Sequence, residues 1–147
     1  MYHHVLIAID TSKESEPILR KGIELANLYD ASVSVIHVLE LPMPMVGELA
    51  LVDTYFNSEE YTKIIKDAMA ALMKKVNLPE SSLHIASGLP ASTVVNYAEK
   101  NKMDLIVVGS HGKNGLKLLL GSIASGILHK AKCDVFIYRL HGGVWQG

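Results

Sequence analysis

An α/β domain built on a parallel sheet is the fold class that this sequence predicts, and three observations predict it. Short apolar runs at residues 5–9, 31–38, 83–86, 105–108 and 135–138 read as strands. Segments with helical spacing separate them, and strands alternating with amphipathic helices are the pattern of βαβ units, with helices on both faces of the sheet. The chain has 147 residues, of which 49% are apolar, enough for one domain with a full core.

The first run ends at Asp10, and Pro17 suits the first turn of the helix that follows, where a missing N–H is no loss. Thr11, Ser12 and Ser15 compete for the N-cap, and Ile18, Gly22, Leu25, Ala26 and Tyr29 fall on one face. After the second run, residues 39–57 hold Pro42, Pro44 and Gly47 among Met43, Met45, Val46, Leu49 and Leu51. So apolar a stretch implies a loop folded over a ligand cleft, over a partner subunit or over the domain's own core. The second helix presents Tyr61, Ile65, Ala68, Leu72 and Val76, with Ser58 as its cap and Pro79 beyond its end. A third helix follows Pro90 and turns Val94, Val95 and Ala98 inward. The fourth begins near Gly121 and presents Ile123, Ile127 and Ala131.

Charge and composition exclude several function classes. The 14 basic and 15 acidic side chains leave a formal charge of −1, which supplies no long-range field for nucleic acid or an anionic membrane. Any anion has to be held locally. The apolar run near the N-terminus is too short for a signal peptide or a membrane span, so the expected location is the cytoplasm. Cys133 is the single cysteine; without a CxxC it reads as a packing residue at a strand start, in a reducing compartment. His3, His4, His37, His84, His129 and His141 show no H-x3-H or H-E-x2-H spacing, which argues against a metal site.

The chemistry concentrates in Leu105-Ile-Val-Val-Gly109-Ser110-His111-Gly112 and its continuation through Gly115 to Gly121-Ser122. A buried strand runs into a glycine-rich loop and then into an amphipathic helix. Glycine lets backbone N–H groups approach a phosphate oxygen with no Cβ in the way, and a helix start offers unpaired N–H groups with a favourable dipole. Ser110 and Ser122 add hydroxyl donors. His111 either donates to a phosphate or faces solvent, and Lys113 and Lys117 either add cationic support or are ordinary exposed lysines. Ligands of open α/β sheets collect at the carboxyl ends of the strands. The segment is neither GxxxxGK[ST] nor GxGxxG, so hydrolysis by the P-loop machinery is not indicated.

Gly109-x2-Gly112-x8-Gly121-Ser122 resembles the G-x2-G-x9-G-[ST] loop of ATP-binding universal stress proteins, one residue shorter, a spacing that some members share. The resemblance extends over nearly the whole chain. His4-Val-Leu-Ile-Ala-Ile-Asp10 resembles the family's first strand, with Ala8 where many members have proline. Ile36-His37-Val38, Gly88-Leu-Pro90 and Cys133-Asp-Val-Phe-Ile-Tyr-Arg139 resemble the end of the second strand, the turn after the third and the last strand.

That resemblance implies a Rossmann-like, adenine nucleotide alpha hydrolase-like domain over residues 1–140, with a tail at 141–147. Its sheet would be open, five-stranded and parallel in the order 3-2-1-4-5, and two copies would pair through the last strand, Val135 to Tyr138. Ala8 and Asp10 would border the adenosine, with Val38 against the adenine. Val108, Gly109 and Gly112 would line the ribose and phosphate path, and Gly121, Ser122 and Ile123 would hold the outer phosphates. Asp10 beside bound ATP would favour Mg²⁺; its other reading is a turn or capping residue after the first strand. ADP or AMP are further occupants of such a site.

The function implied is an ATP-binding regulatory dimer of the stress response. It would signal to a downstream protein partner through nucleotide occupancy, with at most slow hydrolysis or autophosphorylation. The alternative is a nucleotide-independent interaction module from a branch of the same family that lacks the glycine loop. Retention of Gly109, Gly112, Gly121 and Ser122 argues against that branch. A phosphoacceptor receiver domain would need an aspartate ending the third strand and a lysine after the fifth, where this chain has Ser87-Gly88 and Arg139-Leu140.

Overall fold

The structure, a computed structural model, describes residues 1–40, 59–111 and 120–139. In chain order it has β1 (His4–Ile9), α1 (Ser15–Leu28), β2 (Ser32–Glu40) and α2 (Glu59–Lys75). A 3-10 turn (Glu80–Ser82), β3 (Leu83–Gly88), α3 (Pro90–Lys100), β4 (Leu105–Gly109), α4 (Ser122–Lys130) and β5 (Asp134–Tyr138) follow. The five strands form one sheet in the order β3-β2-β1-β4-β5, with every neighbouring pair parallel, as expected.

The apolar runs explain which strands lie at the centre. β4 is buried throughout and β1 from Val5 onward, which is what near-continuous Val, Ile and Leu stretches require when helices cover both faces. Val5, Ile7 and Ile9 point to the face where Ile18, Leu19 and Ala26 of α1 and Ile65, Met69 and Met73 of α2 pack. Leu6 and Ala8 point to the other face, against Val94, Val95 and Ala98 of α3 and Ala124 and Ile127 of α4. Gly22 lets α1 lie close on β1, because a Cβ there would overlap the Ile7 side chain. The chain winds from β1 to one side of the sheet and from β4 to the other, so the strand order reverses between them. The carboxyl ends of β1 and β4 therefore flank a topological switch point.

Three local expectations are corrected. None of Thr11, Ser12 or Ser15 caps α1: Glu14 takes the N-cap position without a side-chain hydrogen bond, because the serines are drawn into a turn around Asp10. Of the stripe expected on α2, Tyr61, Ile65, Leu72 and Val76 pack on the core, but Ala68 is exposed and Met69 and Met73 are buried instead. The long, adaptable methionines fill the space against the sheet. Tyr29 lies one residue past α1 as its C-cap, and its ring meets that of Tyr2 edge-on at 5.0 Å.

The turn before α3 is as expected. Gly88 has φ +147°, and a Cβ there would sit 2.6 Å from Thr93 Oγ1, so the position demands glycine, while Pro90 opens the helix. The loop at 41–57, the Ser58 cap, Gly112, Gly115, Lys113, Lys117 and the tail at 141–147 lie outside the described residues. Among the described residues, no helix is long and apolar enough to cross a membrane, and no group of three or more His, Cys, Asp or Glu is placed to hold a metal ion.

Candidate functional site

The site is built around the first residue after β1. Asp10 is half-buried, and its Oδ1 accepts the Ser12 N–H at 2.8 Å. The Ser15 hydroxyl lies 2.7 Å from the Asp10 carbonyl oxygen and 3.1 Å from Oδ1, one donor shared between two acceptors. In return Ser15 Oγ accepts the Asp10 N–H at 3.2 Å. Ser15 is fully buried, so this network is screened from water and fixes the carboxylate at the mouth of the sheet. Sequence reasoning treated Ser12 and Ser15 as rival caps and missed them as supports of Asp10. The signal was there for Ser12 alone, whose N–H lies two residues after the acid, within reach of an aspartate bonding its own turn.

The second wall is the continuation of β4. Gly109 ends the strand, and the Ser110 N–H donates to the Tyr138 carbonyl at 2.9 Å, extending the pairing with β5 by one step. The Ser110 carbonyl then accepts the Gly121 N–H at 2.6 Å, so the start of α4 is tied directly to the end of β4. Ser110 Oγ and His111 Nδ1 are 3.2 Å apart. Gly121 takes the N-cap position of α4 in extended conformation with no side-chain cap. The first-turn N–H groups of such a helix have no intrahelical acceptor, and Ser122 stands exposed beside them.

The expected apolar contacts fall on one face. Ala8, Val38 and Val108 belong to the cluster against α3 and α4, at 7%, 8% and 6% exposure, with Ile123 packed at its margin. The carboxyl ends of β1 and β4 thus bring Ala8, Asp10, Val108, Gly109, Ser110 and His111 to one end of the sheet, with Gly121, Ser122 and Ile123 at the start of α4. His37 points to the opposite face, buried, with its Nδ1–H donating to the Ile9 carbonyl at 3.0 Å. It braces β2 against β1 just below Asp10.

Comparison with known proteins agrees with this architecture. A model of the universal stress protein family matches residues 1–139. Universal stress protein A homolog 1 of Coxiella burnetii is 38% identical over 135 residues, which cover 91% of this chain and 94% of that protein. The solved universal stress protein UspA from Lactobacillus plantarum superposes with a TM-score of 0.77 at 24% identity, covering 94% of this chain and 98% of the other. A universal stress protein solved in complex with cAMP superposes with a TM-score of 0.64 at 23% identity, covering 97% of this chain and 99% of its own. With its sheet order, its glycine-bearing strand-to-helix corner and a family match across nearly its full length, this chain belongs to the universal stress protein family.

Proposed function

We propose that the chain binds an adenine nucleotide at the carboxyl ends of β1 and β4 and works as a regulatory protein of the stress response through occupancy of that site. The observation that carries this reading is the corner where Ser110 and Gly121 meet at 2.6 Å, which sets an uncapped helix start at the end of β4, the strand that adjoins β1 at the switch point. The solved relative in complex with cAMP supports an adenine nucleotide as the class of ligand. ATP is the occupant proposed, with ADP or AMP as products or competitors. In this arrangement Ala8 and Asp10 border the adenosine with Val38 against the adenine, while Val108, Gly109, Ser110, His111 and Gly112 follow the ribose and phosphates. Gly121, Ser122 and Ile123 receive the outer phosphates. Mg²⁺ would ride on those phosphates with Asp10 nearby, since one or two carboxylates plus phosphate oxygens are its usual set.

The second reading, a nucleotide-independent interaction module, has one observation in its favour: Ala8, Val38 and Val108 are almost completely covered. Denaturing freshly purified protein and running the released small molecules on an ion-exchange column beside ATP, ADP and AMP decides between them. Near-stoichiometric nucleotide is expected. An empty protein that also gives no heat on titration with Mg-ATP would sink the first reading and leave the second.

We also propose that the domain spans residues 1–140, works in the cytoplasm and pairs with a second copy through β5. The outer position of β5 and the half-buried Val135, Phe136, Ile137 and Tyr138 support the pairing. Light scattering at micromolar concentration should report a dimer, and a monomer there would overturn it.

A further inference from the structure

Ser12 carries the one buried side-chain oxygen among the described residues that has no hydrogen-bond partner. Its Oγ is shut off from solvent, while its backbone N–H is anchored on Asp10 Oδ1 at 2.8 Å. Nine in ten or more of the buried polar groups of folded proteins are paired, and an unmade bond in the interior is destabilising. The exception here lies three residues past the end of β1, beside the switch point, rather than at some random place in the core.

The rest of Ser12 is only half-buried, and its hydroxyl turns among staggered χ1 wells without disturbing the anchored backbone. A change of χ1 is what would turn this sealed group out toward a ligand. The neighbouring Asp10 decides which part of a ligand it meets. A carboxylate accepts from hydroxyl donors, and a serine hydroxyl both donates and accepts, so the pair is complementary to a sugar diol.

We propose that Ser12 is a sugar-reading residue, whose hydroxyl takes its missing hydrogen bond from a ribose hydroxyl of the bound nucleotide. This inference rests on the nucleotide-binding reading above. Ser12→Ala keeps the backbone N–H on Asp10, so the variant tests the hydroxyl alone. Without nucleotide it should melt at or above the wild-type temperature, because no bond is lost. In titrations with ATP, and with adenosine as a competitor, it should bind both roughly tenfold more weakly, with Ser12→Thr recovering most of the loss.

Equal affinity in wild type and Ser12→Ala would overturn the inference, as would a lower melting temperature with affinity intact, which marks a structural hydroxyl. A loss confined to ATP would move the contact to the phosphates and overturn the sugar assignment. Failure of the wild-type protein to bind either ligand would instead sink the nucleotide reading itself.

Discussion

The two ends of one parallel sheet are finished in opposite ways. At the amino end, the Asp104 carboxylate accepts the N–H groups of both His3 and His4, at 2.8 and 3.0 Å, and so closes the start of β1 onto the start of β4. The Tyr2 hydroxyl donates to Asp134 at 2.8 Å, and Ser32 Oγ meets the His4 ring at 2.7 Å. At the carboxyl end, α4 starts without a side-chain cap and Ser12 Oγ is unpaired. One end satisfies its polar groups with one another; the other, beside its Asp10–Ser15 and Ser110–Gly121 bonds, leaves a buried hydroxyl unpaired. Local rules are broken where a protein has work to do, and the contrast predicts that substitutions at the amino end change stability while those at the carboxyl end change binding.

The largest expected effect breaks that contrast at its sharpest point. Ser122→Asp puts a negative charge on the exposed first turn of α4. For the helix this is favourable, by ~0.3–1 kcal/mol. For a phosphate in the same place it is repulsive as well as the loss of a donor, so ATP affinity should fall by more than about a hundredfold, against roughly tenfold to a hundredfold for Ser122→Ala. Thermal melts and ATP titrations of one variant should thus move in opposite directions. Should both stay at their wild-type values, Ser122 has no part in the site.

How much of this was legible in the sequence follows from what each feature depends on. β1 and β4 could be read directly, since a strand buried on both faces needs an unbroken apolar run, and the glycine-bearing corner after β4 declared itself by composition and spacing. The inward face of α2 could be read in part: Tyr61, Ile65, Leu72 and Val76 pack on the core as their spacing implies, but nothing in the sequence shows that Met69 and Met73 are buried with them while Ala68 is exposed. The part of Ser15 in the turn around Asp10 was hidden for another reason. Three hydroxyl residues before a helix look like rival caps, and nothing in their order reveals that Ser15 would be buried with its hydroxyl on Asp10.

An intermediate effect is expected at Asp104. Asp104→Ala hands the exposed His3 and His4 N–H groups to water, which should cost about 1 kcal/mol and lower the melting temperature by roughly 2–4 °C in a chain of this size. Nucleotide affinity should not change. The same carboxylate gives the amino end a pH dependence. Burial raises its pKa, but the His3 and His4 N–H bonds and their charges outweigh it, holding the group below its ordinary 3.8. With the folded value the lower one, its contribution is complete above about pH 4 and disappears as pH falls through the depressed value. Acid melts of wild type and Asp104→Ala should therefore converge at low pH, and curves that stay parallel to pH 2 would remove this carboxylate as the cause.

The smallest effect is expected where the amino end comes nearest to imitating a site. Between α3 and the start of β5, a cavity of about 90 Å³ is lined by Val95, Ala98, Met103, Ile106 and Cys133, with Glu99 and Lys132 ion-paired at 2.6 Å among its lining residues. Ligand pockets run to roughly 300–1,000 Å³, so this space is too small for a nucleotide and stands at the wrong end of the sheet. Burial pushes the Cys133 thiol above its ordinary range, so little thiolate is present at neutral pH. A disulfide reagent should label Cys133 more slowly than free glutathione, and the labelled protein should bind ATP within about twofold of the unlabelled protein. Rapid labelling that abolished ATP binding would mean that the two ends of the sheet are coupled, and that the amino end does more than hold the strands together.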